Sequence, residues 1–214
     1  MTESEIEFLE KAIRRVPDFP KPGILFYDIT SIFTKPDVFK FCIDKMVELY
    51  KDAKIDAVAT VESRGFLFSA PFAERLSIPQ ILIRKKGKLP GETYSCKYAL
   101  EYGTAEIEAH KADIERGKNY LVIDDLIATG GTLAAARNVI EQGGGVVTDY
   151  FGIIGLPDLN YQRFWLRQKS QLLSIFMEHK QGLLRFGGDN VPLLSADEFL
   201  FYNPRAADRQ DVLL

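Results

Sequence analysis

Apolar positions along this chain switch between a helical and a strand period, and the switches predict its elements. Ile6, Leu9, Ile13 and Val16 recur near helical spacing and predict an amphipathic first helix. Pro17, Pro20, Pro22 and Gly23 stop it, because proline lacks the amide donor and clashes with the preceding turn. A second helix is expected from about Asp37 to Tyr50, with Val38, Phe41, Cys42, Met46 and Leu49 on one face. Four short apolar runs, 55–62, 80–85, 119–125 and 146–156, read as buried strands. Helices are expected from Gly65 to about Leu76, started or kinked by Pro71, and over 132–142, ended by Gly143, Gly144 and Gly145. This alternation implies right-handed crossovers and an α/β fold with a central, mostly parallel sheet flanked by helices. The run 92–114 differs. Tyr94, Cys96, Tyr98 and Leu100, then Ala105, Ile107 and Ala109, alternate with polar residues, so a half-exposed hairpin is expected to turn near Glu101, Tyr102 and Gly103. It reads as a small hood or flap over the carboxyl edge of the sheet, where ligands bind in open α/β sheets.

Composition narrows the class. With 214 residues, 46% hydrophobic and 27% charged, the chain reads as one domain, 1–214. Its hood would combine residues 1–35 with the flap 86–114, and 192–214 would be a C-terminal extension. Within that extension, Phe199, Leu200, Phe201 and Tyr202 in a row argue for a buried first half. A formal charge of −3 speaks against a nucleic-acid partner, which needs a basic face to neutralise phosphates. No run reaches the ~18–20 apolar residues of a membrane span, and the first residues do not form a signal peptide. The two cysteines, Cys42 and Cys96, suit a reducing compartment, so a cytoplasmic location is expected.

The segment from Leu121 to Thr132 carries the most chemistry. An apolar strand is expected to end in Asp124 and Asp125, followed by a short loop and by Thr129, Gly130, Gly131 and Thr132 opening a helix. Glycines let backbone amides approach an anion, and a helix amino terminus adds uncompensated donors and a positive dipole end. A phosphate monoester fits that cradle, while the two acids suit the hydroxyls of a vicinal diol. The implied ligand is a 5-phosphorylated ribose. Neither a P-loop nor a dinucleotide fingerprint occurs.

This run resembles the phosphoribosyl pyrophosphate motif of type I phosphoribosyltransferases. Residues 17–29 (PDFPKPGILFYDI), 62–68 (ESRGFLF), 83–94 (IRKKGKLPGETY) and 98–108 (YALEYGTAEIE) resemble the adenine-using branch of that family, and the likeness covers about 1–155. The resemblance implies transfer of 5-phosphoribosyl from phosphoribosyl pyrophosphate to adenine, giving AMP and pyrophosphate, with Mg²⁺ and in a homodimer. It implies a phosphoribose site of Asp124, Asp125, Ala128, Thr129, Gly130, Gly131 and Thr132. Pyrophosphate would fall to Ser63, Arg64, Arg84, Lys85 and Lys88, with Lys86 in the same basic cluster. Adenine would fall to Leu25, Phe26 and Tyr27, with Phe26 as the stacking ring. Glu101 would serve as general acid/base beside Tyr102, and Arg64 would share in catalysis. No side-chain cluster for a metal is seen, so Mg²⁺ is expected to arrive on the pyrophosphate. The family's loop also implies a cis peptide between Ser63 and Arg64. Two other readings stand beside this one: a transferase for another purine (hypoxanthine or xanthine), and a non-catalytic purine regulator on the same fold.

Overall fold

The computed structural model describes residues 2–19, 22, 25–99, 103–155 and 175–176. The elements run β1 (Arg14–Pro17), β2 (Leu25–Asp28), β3 (Ala57–Val61), β4 (Gln80–Lys85), β5 (Thr93–Ala99), β6 (Thr104–His110), β7 (Asn119–Ile127), β8 (Val146–Gly155) and β9 (Ile175–Phe176), with helices α1 (Glu3–Ala12), α2 (Pro36–Tyr50), α3 (Gly65–Leu76) and α4 (Gly131–Gln142). Seven strands form one sheet in the order β5-β6-β4-β3-β7-β8-β9. From β4 to β9 the neighbours are parallel, and the β5–β6 hairpin is antiparallel.

Period two within the inner strands sorts the core into two layers. Val58 of β3 and Leu121 and Ile123 of β7 face one side, packed with Leu9, Met46, Phe68 and Phe72 from α1, α2 and α3. Ala57, Ala59, Val61, Tyr120 and Val122 face the other, packed with Leu133, Ala136, Val139 and Ile140 of α4. Every residue of β3 is buried, as a strand covered on both faces requires.

The helices follow the expected periods with informative departures. The first helix ends at Ala12, short of Val16, and Arg14–Pro17 pairs antiparallel with β2 instead. Ser31 causes the exit: its hydroxyl donates to Ala12 O (2.8 Å) and accepts from the Arg14 amide (2.9 Å), satisfying groups the helix end leaves open. In α2 the apolar face includes buried Ile43 and Tyr50, whereas Leu49 is exposed. Pro71 does not start α3, which begins at Gly65 and runs through it. Burial of Phe68, Phe72 and Ala73 against the sheet holds the helix on both sides of the missing amide.

The hairpin of 92–114 forms, but it joins the sheet by pairing. β6 meets β4 at Arg84 with Glu108 and Lys85 with Ile107, the last two residues of β4. It therefore projects from the carboxyl edge, with Ile107 and Ala109 in the α4-side core.

Gly65 sets how closely the turn after β3 approaches β7. A Cβ there would lie 2.9 Å from Thr60 Cγ2 and 3.4 Å from Asp124 Cα. Thr60 is fully buried and β-branched, so it cannot swing away. Gly65→Ala is expected to destabilise the protein by ~1–3 kcal/mol, read as a Tm lower by ~2–4 °C per kcal/mol in thermal unfolding.

Candidate active site

Three strand ends converge at the carboxyl edge. β3 leads into Glu62, Ser63 and Arg64, β4 ends in Arg84 and Lys85, and β7 carries Asp124 and Asp125. The acids lie inside β7 rather than at its end, because β8 supplies ladder partners as far as Gly155, pairing Asp124 with Gly152 and Leu126 with Ile154.

Asp124, Asp125 and Arg64 form one contact group. Arg64 Nε donates to Asp125 Oδ2 at 2.7 Å, with the Asp125 side chain 7% exposed and that of Arg64 33%. The Asp125 amide donates to Asp124 Oδ1 at 2.9 Å. Burial pushes the Asp124 carboxyl well above its usual range, and the neighbouring Asp125 carboxylate adds to this. The ionised form of Asp124 is therefore disfavoured at this edge. The cis peptide of the turn lies between Glu62 and Ser63, one residue earlier than expected. The next junction already belongs to the helix approach: Arg64 is in the right-handed helical region and Ser63 O accepts from the Phe66 amide.

Past β7, partly buried Ala128 and exposed Thr129 lead to Gly130, whose φ of 82° is a left-handed conformation that favours glycine. Gly130 O accepts from the Ala134 amide at 3.0 Å, and Thr129 Oγ1 accepts from the Gly131 amide at 3.4 Å. Gly130, the residue at the cap position of α4, brings no side chain of its own, and the long Thr129 contact is the side-chain bond at the helix start. The amides of the first turn of α4, with Thr132 in that turn, and its positive dipole end are an arrangement suited to an anion.

The basic cluster is tied down by two carboxylates that the sequence reading did not single out. Glu62, 5% exposed, accepts from Arg84 Nε at 2.9 Å and pairs with Lys88 Nζ at 3.3 Å. Arg84 Nη1 also reaches Lys88 O at 3.4 Å. Burial raises the Glu62 carboxyl, but bonds from Arg84, the Lys85 amide and Lys88 outweigh it and hold it below its usual range. Glu108, 2% exposed, pairs with Lys86 Nζ at 2.8 Å. For Glu108 too, burial raises the carboxyl and its donors overcome that, bringing it down to about 2. Lys85 and Ser63 are exposed. Strict alternation along β6 had put Glu108 on the half-exposed side with the polar partners of Ile107 and Ala109; the loop 86–93 covers it instead.

Phe26 and Tyr27 lie in the separate β1–β2 ribbon. Phe26 meets Phe19 edge-on at 5.1 Å between centroids, and Phe19 is half exposed. Tyr27 packs against the core under α1 and α2. Leu25 is the strand residue opposite Pro17. Glu101, Tyr102 and the 192–214 extension lie outside the described residues. Thus contacts join Arg64 to the acidic pair, and Arg84 to Lys88 through Glu62.

A family model described as a phosphoribosyl transferase domain matches residues 28–146. The adenine phosphoribosyltransferase of Treponema denticola is 62% identical over 157 residues, covering 73% of this chain and 83% of that protein. The chain belongs to the phosphoribosyltransferase family. Solved relatives agree in shape. The adenine phosphoribosyltransferase of Thermoanaerobacter pseudethanolicus superposes with a TM-score of 0.73 at 38% identity, covering 79% of this chain and 98% of that one. That of Saccharomyces cerevisiae, solved with an imino-altritol bisphosphate and adenine, gives 0.73 at 35% identity over 82% of this chain and 100% of its own. Among the described residues of this phosphoribosyltransferase, no helix is long and apolar enough to cross a membrane.

The strained acid of the phosphoribosyltransferase site yields a signed prediction. A carboxyl whose pKa is raised on folding loses stability as pH climbs from its ordinary range toward the raised value. Asp124→Asn removes that charge and keeps the Oδ1 acceptor, so Tm at pH 7 is expected to rise by ~2–4 °C. The gain should vanish below ~pH 4, where the wild-type carboxyl is protonated in both states. A lower Tm for the variant at neutral pH would show that Asp124 is not under this load.

Proposed function

We infer that this chain is an adenine phosphoribosyltransferase, a pentosyltransferase that makes AMP and pyrophosphate from adenine and phosphoribosyl pyrophosphate. The observation carrying this reading is the Asp124–Asp125 pair on β7, followed by a short loop and a helix start opened by Gly130 and Gly131. The identity to relatives named for this activity supports it.

We assign the roles as follows. Amides and hydroxyls of 128–132 bind the 5-phosphate, and Asp124 and Asp125 accept hydrogen bonds from the ribose hydroxyls. Arg64, held by Asp125, presents its guanidinium to the diphosphate together with Ser63, Arg84, Lys85 and Lys88. As the C1–oxygen bond breaks, its electron pair leaves on pyrophosphate. Purine N9 bonds to C1, and the proton on N7 passes to the Glu101 carboxylate, with Tyr102 beside it. The positive groups stabilise the developing leaving-group charge, and the bound geometry aligns the two partners. Phe26 stacks on the base, and backbone groups of Leu25–Tyr27 read its edge.

A Mg²⁺ would be held chiefly by oxygens of the diphosphate and water, and would supply neutralisation of the diphosphate charge. The resemblance to the family supports a cytoplasmic homodimer, which light scattering would report as twice the 24.2 kDa chain mass.

The test is one assay with labelled adenine, phosphoribosyl pyrophosphate and Mg²⁺, with hypoxanthine and guanine as rivals. AMP formation with preference for adenine is expected; preference for a rival base would reassign the substrate, and no turnover on any purine would favour the regulator. Asp124→Asn with Asp125→Asn should lower turnover by at least ~10²-fold through lost ribose positioning. Glu101→Ala should lower kcat more than it raises KM for adenine; the reverse would make Glu101 a binding residue.

A further inference from the structure

Glu108 accepts more convergent hydrogen bonds than any reactive role in the proposed mechanism calls for. Its Oε1 accepts from the Gly87 amide at 2.8 Å and from the Leu89 amide at 3.4 Å. Its Oε2 accepts from Lys86 Nζ at 2.8 Å and from the Thr93 hydroxyl at 2.9 Å. All four donors come from one segment, 86–93, which leaves β4 at Lys85 and returns as β5 at Thr93. A carboxylate alone can serve them together, because its acceptor sites all lack a proton. A buried anion persists only when such donors surround it.

The same segment, with Lys85 just before it at the end of β4, carries cations at the carboxyl edge. Lys85 and Lys88 bracket Lys86 and Gly87, and Gly87 adopts a φ of 86°. Without an anchor, a loop of two lysines and two glycines, entered from a third lysine at the end of β4, would repel itself and sample many conformations. Glu108 stands on β6 in ladder register with Arg84, so the anchor is built into the sheet that also places Arg84.

We propose that Glu108 is a positioning residue: its buried carboxylate fixes the backbone of loop 86–93, so that Lys85 and Lys88 are presented to the diphosphate of phosphoribosyl pyrophosphate without touching it itself. This rests on the transferase reading above. Lys86 then serves as the anchor's counter-ion, and the neighbouring lysines carry the ligand. The cost of ordering the loop falls on folding rather than on each binding event.

Glu108→Gln tests this with little change of shape. The amide replaces one acceptor oxygen by a donor, so two of the four loop donors lose their partner. KM for phosphoribosyl pyrophosphate should rise about tenfold, while KM for adenine moves less than twofold. Trypsin should cut the full-length variant after Lys85, Lys86 or Lys88 several-fold faster than wild type. Thr93→Val, which removes one donor and keeps the carboxylate, should shift both readouts the same way by about two- to threefold, and covers the case in which Glu108→Gln fails to fold. Unchanged KM for phosphoribosyl pyrophosphate together with unchanged cleavage would overturn the proposal. So would a parallel rise of both KM values with a fallen Tm, which would mark Glu108 as a general packing residue. Failure of wild type to make AMP would instead sink the transferase reading, and the cleavage arm would still decide whether Glu108 anchors the loop.

Discussion

The parallel pairing of β3 with β7 is the constraint on which the site depends. It aligns two strand ends so that the turn after one packs on the acids of the other. Gly65 permits that approach, and the 2.7 Å contact from Arg64 to Asp125 locks it. Arg64 and Asp125 are sixty-one residues apart in sequence, so no local propensity could bring them together. Once the ladder is formed, a guanidinium and two carboxylates are neighbours at the edge where a helix begins.

Charge at this edge is divided into a strained part and a satisfied part. Asp124 is held where its ionised form is disfavoured, beside another carboxylate. The Glu62 and Glu108 side chains are also shielded from water but surrounded by donors, and their ionised forms are favoured. The difference follows from geometry. Backbone amides and lysines of 85–93 converge on Glu62 and Glu108, whereas the donor nearest the β7 acids, Arg64, reaches Asp125. In the proposed mechanism the β7 acids leave acceptors underused until a polyhydroxyl ligand arrives, at a cost in stability, whereas the proposed anchor has no such need.

The two faces of the sheet show how the burden is shared. α1, α2 and α3 cover one face with large side chains such as Phe68, Phe72 and Met46. α4 covers the other with smaller ones, Ala135 and Ala136 among them, and extends its packing to Tyr94, Cys96 and Tyr98 of the hairpin. The helix that starts at the glycine-rich loop after β7 is thus braced by both sheet and hairpin.

Much of this was legible from residue order. The apolar runs of β3, β4, β7 and β8 and the glycine-led start of α4 follow from period and turn chemistry, which act over a few residues. The family resemblance rested on ungapped local segments, and so did the acidic pair and the basic cluster. Four features were not legible. The end of α1 depends on Ser31, seventeen residues beyond Arg14. The extension of β7 through Asp125 depends on the reach of β8. The cis bond falls one residue before its expected place. Glu62 and Glu108 looked like ordinary polar residues because burial under a loop leaves no periodic trace. Sequence alone therefore determined the inner strands, the hairpin and the helices α2, α3 and α4, and which residue types gather at the carboxyl edge, since those depend on local spacing, but not the β1–β2 ribbon. Tertiary structure alone decided which charges meet, because only the folded sheet sets the distances over which ion pairs form and burial shifts a carboxyl.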